Sequence, residues 1–250
     1  MIKIFKYEFR IILCKAYVPA ILAAGMLYSW YLLSTQIILG VSDTAPFSGW
    51  SFGKYLGDST LISMLITLLI TAVSLSGQQK MAGILTDATA FPVKKRILIR
   101  SLLTGGFFLI CTIINLILGC IFLYSLFGEI YIGSYLLDWA LICLPCMFLI
   151  TGMGMLIGRK SNVPIYIFMG VCLIMAFAFR RLSLDFNGAA YFEITPGLFD
   201  GPAKEDPPFV IGLSYVIKRS VYLFAGMAAY FISCSRAADK RRIERAEQVS

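Results

Sequence analysis

Six stretches of this 250-residue chain carry no charged side chain, and the basic residues gather on alternate sides of them. The stretches are Ala16–Ser42, Ser59–Gln79, Ser101–Gly128, Trp139–Gly158, Ser161–Phe179 and Ser220–Ser235. Five are long enough for a helix to cross a bilayer, which takes roughly 17–25 residues. The sixth is short. Lys218 and Arg219 precede it, and their long stems reach the head groups from Cα atoms that lie deeper, so the span reads as starting near Tyr215. A membrane pump normally keeps ionisable groups inside its spans. These runs keep none, so any uphill transport takes its energy from elsewhere.

The chain is 59% hydrophobic with a mean hydropathy of +0.81, a membrane composition, and the spans leave no segment long enough for a separate soluble domain. Residues 1–250 therefore read as one transmembrane domain, with spans at about 19–40, 59–79, 101–127, 137–158, 163–180 and 215–235. With the N-terminus in the cytoplasm, 16 of the 22 Lys and Arg residues fall inside and nine of the 14 acids outside. That bias sets the orientation, places both termini inside at the cell membrane, and makes the anionic inner leaflet rather than nucleic acid the simplest partner of the +8 net charge. The first uncharged run has 27 residues, longer than the roughly 7–15 of a signal-peptide core, and reads as a span.

Enzyme chemistry is poorly supplied. There is no histidine, the commonest metal ligand and the usual acid–base at neutral pH. The seven cysteines lie in or beside apolar spans and read as small hydrophobes. Cys143-Leu-Pro-Cys146 has the spacing of a redox pair, but no βαβ pattern surrounds it. Hydrolysis inside a bilayer needs a nucleophile with its base, or paired acids, and the uncharged spans offer neither.

Residues 1–15 read as an amphipathic helix lying in the membrane plane. Ile2, Phe5, Phe9, Ile12 and Leu13 follow helical spacing, and Lys3, Lys6 and Arg10 share another face. Pro19 favours a bend before the first span. The second span carries a hydroxyl stripe, Thr60, Ser63, Thr67, Thr71 and Ser74, on one helical face. The stripe points either into protein, each hydroxyl bonding its own preceding turn, or onto a wet substrate path. Asn115 is the strong polar group of the third span, with interhelical bonding as its default role. Gly154 and Gly158 end the fourth with a pair that allows close helix contact. Between spans five and six lie about 35 outward residues rich in aromatics and prolines, expected to form short amphipathic pieces at the outer leaflet.

The inner segment from Gln78 to Arg100 is the most informative. Far longer than a turn between adjacent helices requires, it holds a helical piece at Met81–Ala90 that Phe91-Pro92 terminates, followed by Lys94, Lys95 and Arg96. The charges alone fit an orientation signal. Ile84, Leu85 and Phe91 on a cytoplasmic segment suit an amphipathic element that a soluble partner grips.

In this arrangement the chain resembles, over its whole length, the ABC-2 family of ATP-binding-cassette exporter permeases. Gly83 and Pro92-Val93 keep that family's nine-residue step in the inner loop, Leu85 matches its leucine, and Arg100 stands near its basic residue at the start of span three. Gly158-Arg159-Lys160-Ser161 is similar to the family's polar end of span four. Gln79 stands where an acid is usual, and Ile84 replaces a threonine. The resemblance implies an all-α fold of six spans, with an in-plane N-terminal helix, a cytoplasmic coupling helix between spans two and three, and an outer loop with short helices before span six. It implies a permease dimer, with an identical or sister chain, riding on a separate ATPase that binds ATP and magnesium. The coupling residues would be Gln79, Gly83, Ile84, Leu85, Asp87, Phe91 and Pro92. Substrate would pass at the dimer interface of spans two and five, with Thr60, Ser63, Thr67, Thr71, Ser74 and Asn115 as path candidates. The chain has no Gly-x-x-x-x-Gly-Lys-Ser/Thr loop to cradle phosphates, so it binds no cofactor of its own in this reading. Compact relatives, such as bacitracin and lantibiotic permeases, handle antimicrobial peptides in export or self-immunity. The alternative from another class is a membrane scaffold or sensor subunit that transports nothing.

Overall fold

The computed structural model describes residues 2–40, 44–75, 93–128, 130–158, 161–178, 185–188 and 211–249; the side chains of 2–4, 93, 94, 96, 178 and 236–249 fall outside that description. The described residues form seven helices and no strand: α1 (Ile2–Ile12), α2 (Tyr17–Leu32), α3 (Gly49–Ser74), α4 (Val93–Phe127), α5 (Ile132–Ile157), α6 (Val163–Ala178) and α7 (Leu213–Val249). Four stretches are long and apolar enough to cross a membrane: Tyr17–Ile37, Gly49–Ser74, Ile97–Phe127 and Ile132–Ile157. Helix α6 is apolar but shorter.

Local chemistry sets the ends. A turn at residues 13–16 separates α1 from α2, so the N-terminal helix is its own element and not an extension of the first span. Pro19 sits in the first turn of α2, where its missing N–H costs no helical bond. Past Leu32 the helix continues as one wider turn, Leu33–Ile37, with Ile38 N–H donating to Leu33 O at 3.1 Å, and Gly40 follows at φ +72°. Ser48 caps α3: its backbone is extended and its Oγ accepts from Ser51 N–H at 3.2 Å. Gly128, at φ +70°, closes α4 in the left-handed conformation that glycine adopts without penalty.

The helices overrun the uncharged stretches. Helix α3 starts at Gly49, well before Ser59, and so includes Lys54 and Asp58; α4 includes Arg100, and α5 includes a fully buried Asp138. The uncharged runs therefore mark the cores of the helices, not their ends, and ionisable groups sit within the helices after all.

Helix α3 is the hub. It touches α1, α2, α4, α5 and α6, while the longest single interface joins α5 to α7. One apolar cluster runs through the middle of the bundle, from Leu33 and Trp50 through Phe52, Tyr55 and Met64 to Phe108 and Ile150. A second, built on Ile12, Val18, Ile70, Ile99, Leu103 and Phe107, fastens α1 to the end of the bundle where α3 finishes and α4 begins. The outward faces are apolar too: Leu27 and Trp30 on α2, Ile117 and Ile121 on α4, Ile167 and Ile174 on α6, and Val221 and Phe224 on α7 are all exposed. A bundle apolar outside and hydroxyl-lined within is the pattern that hydrocarbon solvent selects.

The fourth-span glycines do allow close packing, both against α3 or its cap, with α6 joining at Gly158. Gly154 faces Thr71 and Leu68, and Gly158 faces Leu75 and Ile165. The tightest crossing is elsewhere. Gly152 of α5 meets the backbone of Gly226 in α7, and a Cβ on Gly226 would overlap the backbone at Phe148 and Leu149.

Candidate functional site

Polar chemistry is concentrated along α3 in three tiers. The middle tier is the hydroxyl stripe. Thr60, Ser63, Thr67, Thr71 and Ser74 are all buried. Ser63 donates to Ser59 O at 3.2 Å, Thr67 to Ser63 O, Thr71 to Thr67 O and Ser74 to Thr71 O at 2.8 Å each. Thr60 Oγ1 lies 3.4 Å from Cys143 Sγ of α5. Within one chain all five are thus turned inward, and Ser63, Thr67, Thr71 and Ser74 are satisfied locally, the arrangement that the packing alternative describes.

Asn115 bridges three helices. Ser29 Oγ of α2 donates to its Oδ1 at 2.9 Å, and its Nδ2 donates to Ser63 Oγ of α3 at 3.3 Å. Tyr55 O–H donates to the Asn115 carbonyl at 2.8 Å. A narrow crevice between α2, α3 and α4 opens beside this group and is lined by Ser59, Ser63, Asn115, Gly25 and Met26. Asn115 is therefore interhelical glue, as its isolation in an apolar span suggests.

The second tier lies at the end of α3 that carries Ser74. Arg100 of α4 is buried and forms a forked ion pair with Glu8 of α1: Nε to Oε2 at 2.9 Å and Nη2 to Oε1 at 3.4 Å. Its Nη1 donates to Ser74 O at 3.1 Å. One guanidinium thus ties α1, the last turn of α3 and the first turns of α4. The fork geometry is specific to arginine, and Arg–carboxylate bonds are stronger than neutral ones. This clamp fastens the end of α3 to the start of α4, the two elements that residues 76–92 connect in sequence. The coupling candidates Gln79, Gly83, Ile84, Leu85, Asp87, Phe91 and Pro92 lie outside the described residues.

The third tier lies at the opposite end. Lys54 Nζ donates to Asp58 Oδ2 at 2.6 Å, an i,i+4 pair on α3. The pair forms one wall of a cavity of about 260 Å³, lined also by Tyr28 and Leu32 of α2, Gln36 of the wider turn after it, Leu61 of α3, Ala176 and Phe177 of α6, and Asn187. Asn187 Nδ2 donates to Gly57 O at 3.2 Å, pinning its short segment to α3.

Near this end Arg219 of α7 corrects the expectation that it reaches outward. Lys218 is exposed, but Arg219 is only 2% exposed. Its Nε donates to Tyr215 Oη at 3.0 Å, and its Nη1 to the carbonyls of Asp185 at 3.0 Å and Phe186 at 3.3 Å. The Tyr215 and Tyr222 rings flank its charge, with Asp185 Oδ2 3.9 Å away. Carbonyls and aromatic faces replace part of the water it gives up, while Nη2 is buried with no hydrogen bond and only the Asp185 carboxylate nearby. The remainder of the outer loop, 189–210, where short helices are expected, lies outside the described residues.

Cys143 and Cys146 are both fully buried free thiols. Among the described residues, no group of three or more His, Cys, Asp or Glu side chains could hold a metal ion. Compared with known protein families, curated proteins and solved structures, the chain gives no match.

Proposed function

We propose that the chain is the permease subunit of an ATP-driven exporter of the ABC-2 type, lying in the cell membrane with both termini in the cytoplasm. In this reading α2 to α7 supply six spans, and α1 lies in the plane of the inner leaflet. A second permease, identical or sister, completes the path, and a separate nucleotide-binding subunit hydrolyses ATP. An antimicrobial peptide or related compound is the leading substrate class.

The observation that carries the reading is the Arg100 clamp. An ATPase that works a membrane bundle from below needs a grip whose motion reaches the spans without loss. Residues 76–92 connect in sequence two helix ends that one buried guanidinium fastens to each other and to α1. A force on that segment is delivered to α3, and α3 contacts five other helices. The amphipathic Ile84, Leu85 and Phe91 and the Gly83 to Pro92-Val93 step add the surface for such a partner.

The test is to identify the neighbouring reading frames and co-express the chain with any nucleotide-binding ATPase they encode. The complex is expected to co-purify and to transport, and Leu85→Asp should abolish co-purification while membrane insertion persists. Insertion and fold intact with no ATPase recovered from the wild type would favour the scaffold or sensor alternative.

A further inference from the structure

Helix α1 has three sides, and the bundle covers one of them. Glu8 and Ile12 are buried, the first on Arg100 and the second in the apolar cluster with Val18, Ile70 and Ile99. Phe5 is 45% exposed and Phe9 41%, with their rings stacked at 6.4 Å between centroids. Lys6 and Arg10 are exposed. An α-helix turns about 100° per residue, so from Glu8 the order around the axis is Phe5 at about 60°, Phe9 at about 100°, then Lys6 at about 160° and Arg10 at about 200°. The apolar stripe read from the sequence is thus divided. Ile12 serves the bundle, and Phe5 and Phe9 are left for whatever lies beside α1.

Charge narrows the occupant. The acid of α1, Glu8, is turned inward onto Arg100 and does not neutralise the outer face. Lys15, in the turn after α1, and Lys95, in the first turn of α4, are exposed near the same end of the bundle. Among the described residues, none of Lys6, Arg10, Lys15 and Lys95 has an ion-pair partner. A free anion would answer these cations and leave the two rings in water. Bare hydrocarbon would answer the rings and leave the cations. A phospholipid has both parts in the order required, acyl chain beside phosphate, as Phe5 and Phe9 stand beside Lys6 and Arg10. In a zwitterionic lipid an ammonium follows the phosphate and meets the same cations with like charge, which favours an anionic head.

We infer that this face of α1 binds anionic phospholipid in preference to zwitterionic lipid, with the phosphate on Lys6 and Arg10 and an acyl chain against Phe5 and Phe9. Each Lys or Arg near an anionic membrane surface strengthens binding by about fivefold. The lipid then holds α1 from outside while Glu8 holds it from inside, and a ligand that binds only the folded chain adds to its stability. The inference rests on the placement of α1 in the membrane plane proposed above, and not on an ATPase partner.

The experiment uses the purified full chain in a non-ionic maltoside. Two probes, a phosphatidylglycerol and a phosphatidylcholine, share one fluorescent acyl chain that carries a photoreactive group. The phosphatidylglycerol probe is expected to bind saturably, about tenfold tighter than the phosphatidylcholine probe, and to crosslink within residues 1–17 on illumination. Lys6→Gln and Arg10→Gln should each weaken it about fivefold and leave the phosphatidylcholine probe unchanged. Phe5→Ala should weaken both probes. Lys218→Gln, which removes an exposed cation of α7 near the opposite end of the bundle, should change neither. All four positions are exposed, so folding tolerates the variants, and the wild-type crosslink decides the matter if one of them fails. Equal affinity for the two probes, phosphatidylglycerol binding untouched by Lys6→Gln and Arg10→Gln, or an equal loss in Lys218→Gln each overturns the inference. Crosslinks of both probes to α1 at equal affinity spare its in-plane placement and overturn only the preference, whereas no crosslink of either probe within residues 1–17 overturns both. No readout involves transport or ATP, so the permease reading is tested apart.

Discussion

At the scale of single residues, the buried cations decide most. Glu8→Leu leaves the Arg100 guanidinium buried without its carboxylate and should cost about 3 kcal/mol of stability, while the joint Glu8→Leu/Arg100→Met variant recovers most of that loss. Denaturant unfolding followed by circular dichroism checks both. Were the single and double variants equally unstable, the pair would be incidental to the clamp. Asn115 and Ser29 should show a coupling of about 1 kcal/mol in a double-mutant cycle with Asn115→Leu and Ser29→Ala. Asn115 is legible in the sequence because a strong polar group alone in an apolar span has to find a partner across helices. The clamp is not, because its partners stand 92 positions apart. One signal exists: Glu8 lies three residues after Phe5 and four before Ile12, so an acid occupies the apolar stripe of an amphipathic helix. Arg219 escapes the sequence for a different reason. Whether a long cation points to water or to protein depends on carbonyls supplied by Asp185 and Phe186, on another segment of the chain.

At the scale of elements, the α5–α7 crossing rests on two hydrogens in place of side chains. Gly226→Val drives a side chain into the Phe148 and Leu149 backbone and should destabilise the fold by about 3 kcal/mol, whereas Gly170→Ala, with open space around its α-carbon, should stay within about 0.5 kcal/mol. Thermal unfolding in detergent separates the two. On α3, the double variant Thr67→Val/Thr71→Val removes hydroxyls that bond only one turn back, so stability should change by less than about 1 kcal/mol. A folded variant of this kind then makes transport a clean reading: loss of export assigns the stripe to a substrate path, and wild-type export assigns it to packing. The helical register of the stripe is legible from its steps of three and four. The start of α3 is not, when the uncharged run is used as a boundary. The cue is local: Ser48 as a cap, then Phe52, Tyr55 and Leu56 on the buried side with Lys54 and Asp58 one turn apart. The Gly152–Gly226 contact has no sequence signal, since the two glycines belong to different helices.

At the scale of the whole molecule, the alternation of basic segments predicts that engineered cysteines between Phe186 and Asp206 are labelled from outside in intact cells. Labelling only after lysis would invert the chain in the membrane and place the Lys54–Asp58 cavity on the cytoplasmic side. The bundle also has a mechanical consequence. A helix that leans on one neighbour can tilt or bend by itself, but α3 is gripped along its length by five. A shift imposed at Ser74 is therefore expected to reappear as travel near Ser48, about 39 Å off along a helix of 26 residues. The wall bearing Lys54 and Asp58 therefore moves in step with the foot held by Arg100, as the two ends of a single stiff lever.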